Sequence, residues 1–273
     1  QAVEPLAIAD KLAADKDHQI KAVLVQHNET STGVYNPLKE ISQARGAHPA
    51  LLLVDAISGM GALPLETDDW DLDVVISGSQ KAFMSPPGLS FISVSPRAWE
   101  VQENNIQPKY YFDLANAKKF MNKGQTPATP AVSLIYAVAE ALQMMKEKGL
   151  DNIIDQHFFR RDVVRAGAEA IGIKPLADIS CASGAVTALC VPEGITPSQL
   201  TKPMRSKYNT VVAGGMGKIK ESTFRIGHLG YMNDLDLIAV LAALEMVLWE
   251  AGHKFQLGSG VAAAQRLMME RYK

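Results

Sequence analysis

Alternating helix-like and strand-like segments predict an α/β fold with a mainly parallel sheet, followed by a smaller α+β unit. Two observations carry this reading. Helical and extended patterns alternate through the first half of the chain. Polar clusters also follow three successive strand-like runs, as expected where open parallel sheets gather ligands beyond their strand ends. A boundary is expected near Leu150, dividing the chain into residues 1–150 and 151–273.

Taken in order, Pro5 to Lys16 spaces its apolar residues at a helical period, with proline in the first turn. Lys21 to Gln26 reads as a strand running into the polar loop His27 to Gly33. A second helix, Pro37 to Arg45, leads to the strand Leu51 to Val54, which Asp55 follows. The β-branched run Val74-Val75-Ile76 is a buried strand that the small residues Ser77-Gly78-Ser79 are expected to end. Leu89 to Val94 alternates like an antiparallel edge strand, and Val101 to Met121 reads as irregular. The two prolines in Gly124 to Pro130 indicate a fixed loop. Val132 to Met145 is helical with a stop at Gly149. Beyond the boundary, Asp151 to Ile171, Thr196 to Ser206, Asp234 to Glu250 and Val261 to Arg271 read as helices. Ala185 to Val191, Asn209 to Ala213 and Thr223 to Ile226 read as strands.

Twenty-seven Lys and Arg against 29 Asp and Glu leave a net charge of −2, so no basic field points to nucleic acid. No apolar run approaches the roughly 18 residues of a membrane span, and nothing resembles a signal peptide. Cys181 and Cys190 are too few for a disulfide framework, which favours a reducing, cytoplasmic compartment. The six histidines lack metal-ligand spacing, so no metal is expected. Gly214-Gly-Met-Gly-Lys218 fails as a phosphate loop because Val212 stands at the first glycine position and Ile219 replaces Ser or Thr.

The chemistry centres on Lys81. It stands just past a strand end, with small or polar neighbours and Asp55 ending the preceding strand. An amine and a carboxylate so placed suggest an imine-forming lysine and a group that tunes a bound cofactor. Val54-Asp-Ala-Ile-Ser-Gly59 and Ser77-Gly-Ser-Gln-Lys-Ala-Phe83 resemble the pyridoxal-phosphate site of the class V aminotransferases, and most of all the alanine–glyoxylate and serine–glyoxylate (serine–pyruvate) group. The resemblance runs along essentially the whole chain.

The resemblance implies the aspartate aminotransferase-like fold, with residues 1–150 as a cofactor-binding large domain and 151–273 as a small domain. It implies pyridoxal 5′-phosphate as cofactor. Lys81 would carry the cofactor and move protons, Asp55 would hold the ring nitrogen protonated, and Ile57 would press on one ring face. Thr30 would reach the ring oxygen, Gln80 the phosphate, and Gln125 and Thr126 the phosphate of a partner's site in a homodimer. Arg225, in Phe224-Arg-Ile-Gly-His-Leu-Gly230, would grip the substrate carboxylate, because a planar guanidinium holds it at two points. His228 is expected to be a packing residue. The expected reaction moves an amino group from alanine or serine to glyoxylate or pyruvate.

The resemblance also implies a large domain starting about a hundred residues earlier, with a Gly-rich phosphate loop that this sequence does not contain. Completion of the site by such a segment is therefore expected. Two other readings stay open at this level. One is a relative with different chemistry, phosphoserine aminotransferase-like or a lyase. The other is a non-catalytic remnant or interaction subunit.

Overall fold

A computed structural model describes residues 1–273. Helix α1 (Pro5–Ala14) has proline in its first turn, as its sequence requires. Strand β1 (Ala22–Gln26) follows, then a short antiparallel hairpin of β2 (Asn28–Glu29) and β3 (Val34–Tyr35). Helix α2 (Leu38–Arg45), β4 (Leu51–Asp55), β5 (Val74–Gly78) and β6 (Ser90–Val94) complete the first sheet. Its order is β1-β4-β5-β6, with β1, β4 and β5 parallel and β6 antiparallel at the edge.

Helices α3 (Pro96–Glu103), α4 (Leu114–Met121), α5 (Val132–Lys148) and α6 (Leu150–Ala170) come next. Strand β7 (Val186–Cys190), α7 (Pro197–Tyr208), β8 (Ala213–Gly214) and β9 (Thr223–Gly227) form a second, antiparallel sheet in the order β7-β9-β8, with α7 between its strands. Helices α8 (Asp234–Glu250) and α9 (Ser259–Arg271) end the chain. No helix is long and apolar enough to cross a membrane.

Four expectations are corrected by local physics. The polar stretch His27 to Gly33 is not all loop, because Asn28 and Glu29 pair with Tyr35 and Val34. Strand β5 continues through Ser77 and Gly78, since β6 supplies both with partners in Phe91 and Ser90. Residues 101–121 are not irregular throughout, since α3 extends to Glu103 and α4 occupies Leu114–Met121. Ser95 caps α3 by accepting from the amide of Ala98, and Asp113 caps α4 by accepting from the amides of Ala115 and Asn116. Finally, the strand expected from Asn209 shrinks to Ala213–Gly214. Asn209 takes a left-handed conformation (φ 47°) and the amide of Thr210 turns back to the carbonyl of Met204, so the chain is still closing α7.

One face of the first sheet packs Val25, Leu52, Val54 and Val75 against Leu38 and Ile41 of α2. Leu38 and Ile41 are each 1% exposed, and burial on that scale contributes about 1.5–3 kcal/mol per side chain. The opposite face is open, with Leu24 76% and Ile76 36% exposed. A larger apolar core lies between the second sheet and helices α6 to α9, around Phe224, Ile226, Leu241 and Leu244.

Buried charge pins both regions. Asp73 is 1% exposed and accepts from Arg45, Arg97, the amide of Leu52 and the hydroxyl of Ser95. Burial alone would raise its pKa. The hydrogen bonds from Arg97, Leu52 and Ser95 outweigh that, so the carboxyl titrates below the ordinary range. Asp234 behaves alike, where Tyr272 and Arg160 outweigh burial; Arg160 Nε donates to it at 2.6 Å.

Three buried histidines set the acid stability. Burial pushes His27 and His157 down to about 4 and His228 to about 3, with the charge of His157 adding to the effect at His228. In the unfolded chain each takes a proton near 6.5. As pH falls from about 6.5 to about 4, the unfolded state therefore binds protons that the folded state refuses, and stability drops. The slope approaches about 1.4 kcal/mol per pH unit for each histidine. The aspartates contribute little above pH 5, because their stabilisation is lost as pH falls through 3.8 and below. The urea midpoint is expected to decline steeply from pH 7 to pH 5. A flat midpoint across that range would contradict the burial of neutral imidazoles.

Candidate active site

The parallel register brings three strand ends level. Gln26 of β1 lies opposite Asp55 of β4, and Asp55 opposite Ile76 of β5. The amide of His27 donates to the carbonyl of Asp55, and the amide of Ala56 to that of Ile76, so the chains leave the sheet side by side. Lys81 follows β5 by three residues.

Asp55 is the last residue of its strand and points to the open face with Leu24, Leu53 and Ile76. Together they line a cleft of about 420 Å³. One carboxylate oxygen accepts from the amide of Ile57 at 3.0 Å, which fixes the side chain and leaves the other oxygen available. Ile57 is half-buried in the turn that follows.

Lys81 is half-buried, and its ammonium has no hydrogen-bond or ion-pair partner within the chain. Its backbone is better held. The amide of Met84 donates to the Lys81 carbonyl, and neighbouring Ala82 packs with Ala62, Ala185 and Leu229. A Cβ added to Gly230 would stand 3.2 Å from the Lys81 carbonyl oxygen, so the segment after β9 lies directly on the lysine's backbone. Gln80 is exposed and folds its amide back over Gly78, where a Cβ would come 2.8 Å from Gln80 Oε1.

The hairpin loop contributes Thr30. Its hydroxyl lies 2.8 Å from Ser58 Oγ, in the turn after Asp55. Arg225 sits at the middle of β9, in the second sheet. Its Nε donates to the carbonyl of Gly214 at 3.0 Å and its Nη1 to the carbonyl of Thr30 at 3.3 Å. Residues nearly two hundred apart in sequence thus meet. A second seam runs beside them, where the amide of Ser183 donates to the carbonyl of Gly33 at 2.9 Å.

Lys81, Asp55, Ile57 and Thr30 therefore stand on strand ends and turns, and Arg225 joins them from the middle of β9 through the carbonyl of Thr30. Gln125 and Thr126 do not join them. Both are exposed on the loop after α4, and the Thr126 hydroxyl donates to the carbonyl of Ala128. His228 is fully buried with Nε2 2.9 Å from the Thr187 hydroxyl, as a packing residue would be. Sequence reasoning missed Ser58 and Asn28, which hydrogen-bond each other beneath Thr30. The small residue three positions after Asp55 was the available signal.

This donor set fits pyridoxal phosphate on its own chemistry. An amine without an ion-pair partner suits an aldehyde, a carboxylate with a spare oxygen would suit a ring nitrogen, and a hydroxyl would suit a ring oxygen. No group of three or more His, Cys, Asp or Glu side chains is arranged to hold a metal ion.

Comparison with known proteins agrees. Residues 6–200 match the family model described as aminotransferase class-V. The chain is 43% identical to the soluble hydrogenase 42 kDa subunit of Anabaena cylindrica, over 98% of this chain and 70% of that protein. It is 39% identical to the serine–glyoxylate aminotransferase of Methylorubrum extorquens, over 98% of this chain and 68% of that one. Among solved structures it resembles the pyridoxamine–pyruvate aminotransferase of Mesorhizobium loti, with a TM-score of 0.92 and 31% identity over 99% of this chain and 70% of that chain. The chain thus spans about two thirds of the length of such relatives and belongs to the class V aminotransferases, a family of pyridoxal-phosphate-dependent transaminases.

Proposed function

We propose that this chain transfers the amino group of alanine or serine to glyoxylate or pyruvate. The observation that carries the proposal is the hydrogen bond from Arg225 to the carbonyl of Thr30. It joins a carboxylate-binding cation on the second sheet to the loop offered for the cofactor ring. In this reading residues 1–150 hold the cofactor and residues 151–273 present the substrate arginine.

Pyridoxal phosphate, when bound, supplies the electron sink that makes the substrate Cα–H bond acidic. The protein does the rest. Asp55 offers its free carboxylate oxygen to the ring nitrogen and keeps that nitrogen protonated. Ile57 covers one ring face, Thr30 meets the ring oxygen, and Gln80 serves the phosphate. Arg225 holds the substrate carboxylate in one plane and so aims the Cα–H bond. The amine of Lys81 would take the Cα proton as general base and, once protonated, deliver a proton to the cofactor carbon as general acid.

The same reading includes a two-fold homodimer. Ile106, Tyr110 and Phe112 are 97%, 96% and 91% exposed, and Gln125 and Thr126 are exposed as well, which supports an interface involving these segments. From there those two residues would serve the partner's phosphate. The two unpaired thiols support a reducing, cytoplasmic setting.

A donor and acceptor panel tests the substrate choice. Alanine and serine with glyoxylate or pyruvate are expected to give kcat/KM at least about tenfold above aspartate or 3-phosphoserine, the difference a well-placed or missing polar contact makes. Preference for 3-phosphoserine would replace this reading with the phosphorylated-substrate branch of the fold.

A further inference from the structure

We infer that Ser58 is a positioning residue for Thr30, the inner member of a hydroxyl pair that equips the site to donate a hydrogen bond to the ring oxygen of the cofactor. The inference rests on the cofactor reading above and adds a residue to it.

The argument is one of proton accounting. Ser58 is 7% exposed, and its hydroxyl has three partners. Asn28 Nδ2 lies at 2.9 Å, the Asn28 carbonyl at 3.1 Å and Thr30 Oγ1 at 2.8 Å. The orientation of the Asn28 amide follows from its surroundings, since Nδ2 also faces the Ser58 carbonyl at 3.5 Å and an oxygen there would meet another acceptor. Nδ2 therefore donates to Ser58. A serine hydroxyl has one proton and two acceptor sites. With the Ser58 proton on the Asn28 carbonyl, Thr30 spends its own proton on Ser58 and has none for a ligand.

The alternative arrangement costs little motion. If the Ser58 hydroxyl rotates from the Asn28 carbonyl to Thr30, the shorter of the two contacts, Thr30 is free to donate outward. A directed chain then runs from Asn28 Nδ2 to Ser58, from Ser58 to Thr30 and from Thr30 to the ligand oxygen. Each donor in such a chain is strengthened by the one behind it. Thr30 alone, without a donor behind it, would be the weaker partner for an oxygen bearing negative charge.

The turn that carries Ser58 is held so that this distance persists. On one side the amide of Ile57 binds the Asp55 carboxylate. On the other, Gly59 lies against the buried His27 ring, where a Cβ would come 2.4 Å from Nδ1. Thr30 is tied from its far side by Arg225. Ser58 therefore connects the Asp55 turn to the Thr30 loop through a contact that neither can leave by small shifts.

A double-mutant cycle on pyridoxal phosphate affinity tests this, read by absorbance titration without substrate. Ser58→Ala is expected to raise Kd about three- to tenfold, the effect of one ordinary hydrogen bond. Thr30→Val should raise it at least as much, and the double variant should match Thr30→Val alone, because Ser58 acts only through Thr30. Ser58→Cys keeps the volume with a weaker donor and reads the same cycle should alanine prove unstable. An unchanged Kd in the Ser58 variants, or an equal loss with and without the Thr30 hydroxyl, would overturn the inference and leave Ser58 a packing residue. Absence of cofactor binding by the wild-type chain would instead overturn the underlying reading, and this inference with it.

Discussion

Replacing Lys81 with alanine is expected to lower transamination by about 10⁴-fold or more while leaving the fold intact. The size follows from the two tasks assigned to the amine, covalent attachment of the cofactor and proton transfer at Cα, the second of which alone contributes about 10²–10⁴-fold. The intact fold follows from its surroundings. The side chain is half-buried and makes no hydrogen bond or ion pair, so its loss resembles a surface substitution worth about 0.5 kcal/mol or less. The loop geometry depends on the Lys81 carbonyl and on Ala82 instead. A small exogenous amine admitted to the vacated space should restore part of the proton-transfer rate. Retained turnover in Lys81→Ala would remove the lysine from the chemistry, whereas a collapsed melting transition would show that it holds the fold.

The second large effect is expected at Arg225. Arg225→Gln should reduce kcat/KM for amino acid substrates by about 10²–10³-fold, as expected when a charge-assisted carboxylate contact is removed and its partner is left in a desolvated site. Arg225→Lys should recover only part of this, since an ammonium is a point charge and cannot match the planar fork that fixes the carboxylate. A primary amine without a carboxylate separates grip from folding. Its slow reaction should be nearly the same in wild type and Arg225→Gln. If the variant lost both reactions equally, Arg225 would be acting through its bonds to Gly214 and Thr30 as a structural brace.

The residues proposed to carry the chemistry stand out in the sequence because each lies where a pattern breaks. Asp55 and Lys81 end or follow apolar runs, and Arg225 interrupts one. The helices α5, α6 and α8 were readable for the same reason, with long periodic runs closed by Gly149, whose φ of 83° suits no other residue so well, or opened by the Asn233 cap. What escaped was pairing that only tertiary contact creates. Ser77 and Gly78 look like strand breakers until β6 lies beside them, and Asn28 looks like loop until Tyr35 returns across from it. Helices α3 and α4 were hidden because their signal is a capping side chain ahead of a polar segment, not an apolar period. Ser58 offered only a weak signal, a small residue three positions after Asp55, because its role depends on distances to Asn28 and Thr30 that spacing alone does not reveal.

The most direct measurement is the absorbance of the purified chain titrated with pyridoxal phosphate, before and after addition of alanine, with Lys81→Ala alongside. The account predicts a saturable bound-cofactor band that is absent in Lys81→Ala and that alanine converts to the aminated cofactor in the wild type. A spectrum identical to free cofactor, or a band that Lys81→Ala retains, would contradict it.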